Sequence, residues 1–181
     1  MDFREMTLED IIWENSQSPE GRKLLSERGL WVTGAMHRQL QLGPYGILDL
    51  ITIDYIPPAD TLIVTIYELK KGKIGIDALL QACRYVAGVQ NHGVGYGDYD
   101  CEIKYRVCLI GDSIDKNGDF VFLYNELDFV NIYTYNYTIT GITFTIEDKN
   151  WVSSDDEINT TTSDILANDI NRLINKQPRE K

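Results

Sequence analysis

Two carboxylates and an ammonium stand where apolar strands should exclude them. Asp49 interrupts the run Ile47-Leu48-Asp49-Leu50-Ile51, and Glu68 and Lys70 close the run Leu62-Ile63-Val64-Thr65-Ile66-Tyr67. Burying an unpaired charge is costly, so charges at such positions imply a use, and a bound cation is the simplest. Two carboxylates from neighbouring strands can share a hard divalent cation, with the Leu69 carbonyl as a third ligand. Mg²⁺ suits that donor set, since it takes one or two carboxylates, several waters and substrate phosphate. Lys70 then supplies a point charge that can steady a phosphate oxygen or position an attacking water. These are the parts of metal-assisted phosphodiester hydrolysis.

The elements that must position these groups are legible around them. Side chains alternate along a strand, so Leu62, Val64, Ile66, Glu68 and Lys70 share one face, and Leu69 points away. Pro57-Pro58 marks a turn that folds the Asp49 strand back beside the Glu68 strand. Both strands are apolar on two faces, which predicts central strands covered on both sides. After a loop at Gly72 to Gly75, Ile76, Leu79, Leu80, Cys83, Val86 and Ala87 follow helical spacing. Asp77, Gln81 and Tyr85 lie four apart on another face of that helix.

The pattern Asp49, then Glu68-Leu69-Lys70 a hairpin later, resembles the D…ExK signature of the PD-(D/E)XK nuclease superfamily. Gln81-x-x-x-Tyr85 resembles the helix motif of its RecB-like branch. Leu8-Glu9-Asp10-Ile11-Ile12 is similar to the acidic first helix, and Arg38-Gln39-Leu40 to the strand before the Asp strand. The G-x-x-D-L and E-L-K-x-G elements are closest to the NucS (EndoMS) type of catalytic domain, over roughly the first two-thirds of the chain. The resemblance implies an α/β, restriction-endonuclease-like core, a central mixed sheet flanked by helices in the order αβββαβ. It implies a Mg²⁺- or Mn²⁺-dependent endonuclease in which Asp49 and Glu68 bind metal, Lys70 orients or activates water, and Gln81 holds a water or phosphate with support from Tyr85. Glu9 and Glu14 are both candidates for the acid that the first helix sends toward the metal, and the Leu-Glu-Asp context favours Glu9. Gln39 is read as a supporting or substrate-contacting residue, or equally as a solvent-facing glutamine. The DNA-binding and dimerisation domain of NucS has no counterpart in these residues, so its substrate does not carry over.

Charge qualifies the nucleic-acid reading. The 181 residues carry a net charge of −11, which argues against a protein that coats nucleic acid non-specifically. Arg38, Lys71 and Lys73 are the expected nucleic-acid contacts beside Lys70, with Arg22, Lys23 and Arg28 adding positive charge elsewhere. Binding of nucleic acid, DNA first, is expected to be weak and steeply lost with salt. The alternative reading is a catalytically silent binding or regulatory subunit on the same fold. Cys83, Cys101 and Cys108 form no C-x-x-C pair and read as small core residues, and His37 and His92 are too few for a Cys/His metal site. No apolar run reaches a membrane span, and Met1-Asp2-Phe3-Arg4-Glu5 is not a secretory signal, so a cytoplasmic protein is expected.

The remaining elements follow in order. Residues 7–28 read as helix, capped by Thr7 and split at Ser18-Pro19, with Gly29 as its stop. Strands are expected at 35–42, 47–55, 61–70, 103–110, 129–137 and 142–146, and a helix at 119–127. The glycine-rich stretch 90–100 reads as a connector. The nuclease-like domain is expected to span residues 1–150, followed by a polar linker at 151–162. A short amphipathic helix at 163–175 would fold back or pair with a second copy or a partner.

Overall fold

The computed structural model describes residues 5–92, 100–116 and 118–149. The helical stretch divides at Ser18-Pro19 as expected, into α1 (Glu5–Ser16) and α2 (Pro19–Glu27). Ser18 caps α2, its Oγ accepting from the Gly21 amide at 3.0 Å, and Pro19 opens the first turn, where its missing N–H costs nothing. Gly29 sits at φ 93, and the Leu30 amide donates to the Leu25 carbonyl at 2.9 Å, closing the helix. Thr7 lies inside α1 and does not cap it, because the helix already runs from Glu5.

A six-stranded mixed sheet forms the centre. Its strands are β1 (Ala35–Gln41), β2 (Ile47–Ile56), β3 (Thr61–Leu69), β5 (Glu102–Gly111), β7 (Val130–Thr138) and β8 (Gly141–Ile146), adjacent in that order. β1, β2 and β3 are antiparallel neighbours joined by short 3₁₀ turns at Gly43–Tyr45 and Pro57–Ala59. β3 and β5 are parallel, connected through α3 (Ile76–His92). β5 and β7 are also parallel, connected through α4 (Gly118–Glu126), and β8 returns antiparallel. This is the mixed α/β architecture and the αβββαβ order expected from the sequence.

Two apolar clusters cover the sheet, one on each face. Leu79, Ala82, Tyr85 and Val89 of α3 pack with Ile51, Val64, Ile66, Val107 and Leu109. Leu8 and Ile12 of α1 and Leu25 of α2 pack with Leu50, Tyr67, Leu69, Cys108 and Ile110. Burying each of the leucine, isoleucine and valine side chains among these stabilises the fold by about 1.5–3 kcal/mol. Within β3 the two faces separate cleanly: Val64 and Ile66 belong to the α3 side, Tyr67 and Leu69 to the α1 side.

Two details differ from expectation. The expected loop at 72–75 contains β4 (Lys73–Ile74), which pairs in parallel with β6 (Ser113–Ile114) as a second, two-stranded sheet. Two-residue strands leave no alternation to read, so only tertiary pairing reveals them. The helix after it runs on through His92, consuming the start of the expected 90–100 connector, whose residues 93–99 fall outside the described residues. The domain boundary near 150, the linker and the helix at 163–175 fall outside them as well. Among the described residues no helix is long and apolar enough to cross a membrane.

Candidate active site

Asp49 and Glu68 come together because β2 and β3 pair antiparallel, in a register where Leu50 faces Tyr67. Just beyond that pair, the Leu69 amide, two residues past Tyr67, donates to Asp49 Oδ2 at 3.0 Å. The carboxylate of one strand is thereby held against the Glu-Leu-Lys segment of the other. Glu68 is 1 % exposed, and its Oε1 lies 2.6 Å from Lys70 Nζ. Glu68 and Lys70 share a strand face, as alternation requires.

Lys70 is held from a second direction by α3. Its Nζ donates to Gln81 Oε1 at 3.0 Å, Gln81 Nε2 donates to Tyr85 Oη at 2.7 Å, and Tyr85 Oη donates to the Ile47 carbonyl at 2.6 Å. The chain of bonds starts at the Glu68–Lys70 pair and ends on β2, two residues before Asp49. Each donor in it fixes the next acceptor, so the Gln81 amide can adopt one orientation only: its oxygen to the ammonium, its nitrogen to the phenol. Burial raises the Tyr85 pKa above its ordinary value of 10.0; the Gln81 hydrogen bond opposes this, and the charges of Glu68 and Asp49 add to it. The phenol therefore stays a donor at neutral pH.

The backbone under Lys70 is equally constrained. The Lys70 amide donates to the Ile110 carbonyl at 2.7 Å, and Tyr135 Oη donates to the Lys71 carbonyl at 2.8 Å. The Asp112 amide then donates to the Gly72 carbonyl at 3.1 Å, leading into the β4–β6 pair. The site thus lies at the carboxyl ends of the parallel strands β3 and β5, where open α/β sheets generally hold their ligands.

Glu9 of α1 is bonded to β1. It is 7 % exposed; its Oε1 accepts from Arg38 Nε at 3.0 Å and from Gln39 Nε2 at 2.9 Å, and its Oε2 accepts from Gln39 Nε2 at 2.8 Å. Arg38 also pairs with Asp10 at 3.1 Å and lies over the Trp13 ring, 5.7 Å from its centroid. Arg38, expected on nucleic acid, is thus engaged with α1. Lys71 is exposed, and Lys73 is exposed and paired with Asp115 at 2.9 Å. Arg22 donates to the Ser16 carbonyl and Arg28 to the Thr140 carbonyl, which ties α2 to α1 and to the β7–β8 turn. Glu14 is exposed on α1. Sequence reasoning missed Tyr135 and the Ile47 carbonyl, since neither a lone strand tyrosine nor a backbone oxygen carries a motif.

The donor set at Asp49, Glu68 and the Leu69 backbone is all oxygen, which suits a hard divalent cation such as Mg²⁺ or Mn²⁺. Among the described residues no three His, Cys, Asp or Glu side chains cluster as a metal cage.

No family model matches the chain, and no curated protein does. Among solved structures, a crystal structure of a repair endonuclease from Pyrococcus abyssi aligns over 74 % of this chain and 47 % of that chain, with a TM-score of 0.44 and 19 % identity. This chain therefore spans about half of that protein's length. At that level of likeness, function must be argued from the side chains of this chain.

Proposed function

We propose that this protein is a divalent-cation-dependent endonuclease that hydrolyses phosphodiester bonds, with DNA as the first substrate to consider. The observation that carries the reading is the juxtaposition of Asp49, Glu68 and Lys70, with Lys70 held between Glu68 Oε1 and Gln81 Oε1. Asp49 and Glu68 would hold Mg²⁺ or Mn²⁺, with the Leu69 carbonyl beside them. When bound, such a cation supplies Lewis-acid charge to a phosphate oxygen and lowers the pKa of water.

The chain's own residues have separable tasks. Lys70 keeps an ammonium beside the carboxylates, where it offsets charge developing on a phosphate oxygen. Gln81 sets the direction of that ammonium, and Tyr85 sets the direction of Gln81 (the Ile47 carbonyl fixes Tyr85 in turn). Lys71 and Lys73 lie just beyond Lys70, with β4 carrying Lys73, and would meet backbone phosphates next to the one being cleaved. Each lysine that neutralises a phosphate releases a counterion, so such binding falls with added salt, and the net charge of −11 keeps it weak.

The test is incubation of labelled duplex DNA with the full chain in Mn²⁺ or Mg²⁺ at low salt. Cleavage by wild type that Asp49→Ala abolishes supports the reading. Absence of cleavage together with absence of any Mn²⁺-dependent stabilisation would favour a binding module on the same fold.

A further inference from the structure

The arginines of the fold differ in what they touch. Arg22 and Arg28 donate to backbone carbonyls, and Arg38 pairs with Glu9 and Asp10. Arg84, exposed on α3, has no hydrogen bond and no ion pair among the described residues. What it has is a ring: its Cζ lies 5.9 Å from the centroid of Tyr85. The chain carries 28 acidic residues against 17 basic ones, so carboxylate partners are abundant, yet this guanidinium meets an aromatic face instead. A guanidinium offers its N–H donors in a planar fork that matches phosphate oxygens two at a time, and it packs on aromatic faces better than an ammonium does. Seated on Tyr85, it keeps donors for an outside anion.

The place of that ring fixes the place of the arginine. Tyr85 Oη accepts from Gln81, the partner of Lys70, and donates to the Ile47 carbonyl, so the ring lies where α3 meets the head of β2. Gly46 precedes β2 at φ 105, and a Cβ there would come 3.3 Å from Tyr85 Cε1 and 3.9 Å from Arg84 Nη2. A side chain at that position would strain the backbone, press on the ring and stand against the guanidinium. Arg84 follows Gln81 by three residues, about 4.5 Å further along the axis of α3. Burial is the largest cause raising the Tyr85 pKa; beyond it, the charges of Glu68 and Asp49 raise the value and that of Arg84 lowers it, so all three act on one phenol. The guanidinium therefore stands at the rim of the site, one helical turn past the residue that holds Lys70.

We infer that Arg84 contacts a backbone phosphate of the DNA next to the one being cleaved, and so sets affinity for the strand while leaving the chemical step to the residues around Lys70. This rests on the endonuclease reading above. The test is titration of a fluorescein-labelled duplex DNA by fluorescence anisotropy in Ca²⁺ at several salt concentrations, with the duplex checked for integrity afterwards. The chains compared are wild type, Arg84→Gln, Arg84→Lys and Arg106→Gln. Arg106 is an exposed arginine of β5, and its alternation partners Cys108 and Ile110 pack with α1, so it matches the change of charge on the other face of the sheet. Arg84→Gln should weaken binding about tenfold at low salt. It should also make the slope of log K against log salt shallower by about 0.9, the share of one phosphate contact. Arg84→Lys should keep the slope and lose part of the affinity, and Arg106→Gln should keep both. In cleavage with Mn²⁺, Arg84→Gln should raise KM and hold kcat within about twofold of wild type. Wild-type slope and affinity in Arg84→Gln, or an equal loss in Arg106→Gln, would overturn the inference, while wild-type cleavage would leave the endonuclease reading standing. Binding that depends on Arg84 without cleavage would sustain the contact and overturn the endonuclease reading. A wild-type chain that neither binds nor cleaves the duplex would overturn both.

Discussion

Tyr85 Oη donates to the Ile47 carbonyl at 2.6 Å, tying helix α3 to the strand that carries Asp49. The same phenol accepts from Gln81, which accepts from Lys70. Tyr85→Phe keeps the ring and removes both bonds. Each lost bond that leaves a buried group unpaired costs about 1–3 kcal/mol. Tyr85→Phe should therefore lower stability by about 2 kcal/mol in urea melts. It should also slow cleavage more than it weakens substrate binding, because what it loosens is the direction of Lys70.

Glu68 is a buried carboxylate beside Lys70, and under the proposed cation-binding role removing its charge should separate stability from function. Glu68→Gln relieves the cost of a carboxylate at 1 % exposure, while Lys70, at 28 % side-chain exposure, retains access to water. In chelator the variant should melt at or above the wild-type temperature. Wild type should gain about 2.7 kcal/mol at Mn²⁺ a hundredfold above its Kd, and Glu68→Gln should gain nothing. Thermal melts in chelator and in Mn²⁺ measure both.

Much of this site could be read in the sequence because charge inside an apolar strand is a local signal. Asp49, Glu68 and Lys70 announce themselves by breaking a run, and Gln81 and Tyr85 by helical spacing. The destination of Glu9 could not be read so. Its partners Arg38 and Gln39 are adjacent in sequence, and strand alternation assigns them opposite faces; only the positive φ at Gln39 unites them. The β4–β6 pair was hidden for a related reason, since its two-residue strands are joined by register between segments distant in sequence.

The conformation at Gln39 can be isolated by two substitutions that both delete its amide. Gln39→Gly accepts φ 54 freely, whereas Gln39→Val places a β-branched residue in the left-handed region. Both lose the bonds to Glu9, so the strain of the left-handed backbone enters their difference, offset in part by glycine's greater freedom in the unfolded chain. Gln39→Val should be less stable than Gln39→Gly by about 1–2 kcal/mol in denaturant unfolding.

Buried acids other than carboxylates set the alkaline limit of the fold. Burial pushes the Cys108 thiol from 9.0 up to about 12, and the Tyr133 phenol from 10.0 up to about 12. Below pH 9 both groups are protonated in the folded and unfolded chains alike. Above it the unfolded chain releases protons that the folded chain retains, so stability falls as pH rises toward 12. Each group contributes a slope of about 1.4 kcal/mol per pH unit between its two values. Urea melts across that range should show the decline, and Cys108→Ala should make its first part shallower, leaving the share of Cys83, whose thiol burial also raises.

The central claim is tested most directly by cleavage of a substrate panel: plasmid, linear duplex, mismatched duplex, branched DNA, single-stranded DNA and RNA. Wild type, Glu68→Ala and Lys70→Ala would be run side by side in Mg²⁺ or Mn²⁺ at low salt. Wild type should cleave at least one member, and each variant should lose activity by on the order of 10²–10³-fold or more. Cleavage that persists unchanged in both variants would place the chemistry elsewhere and contradict the account.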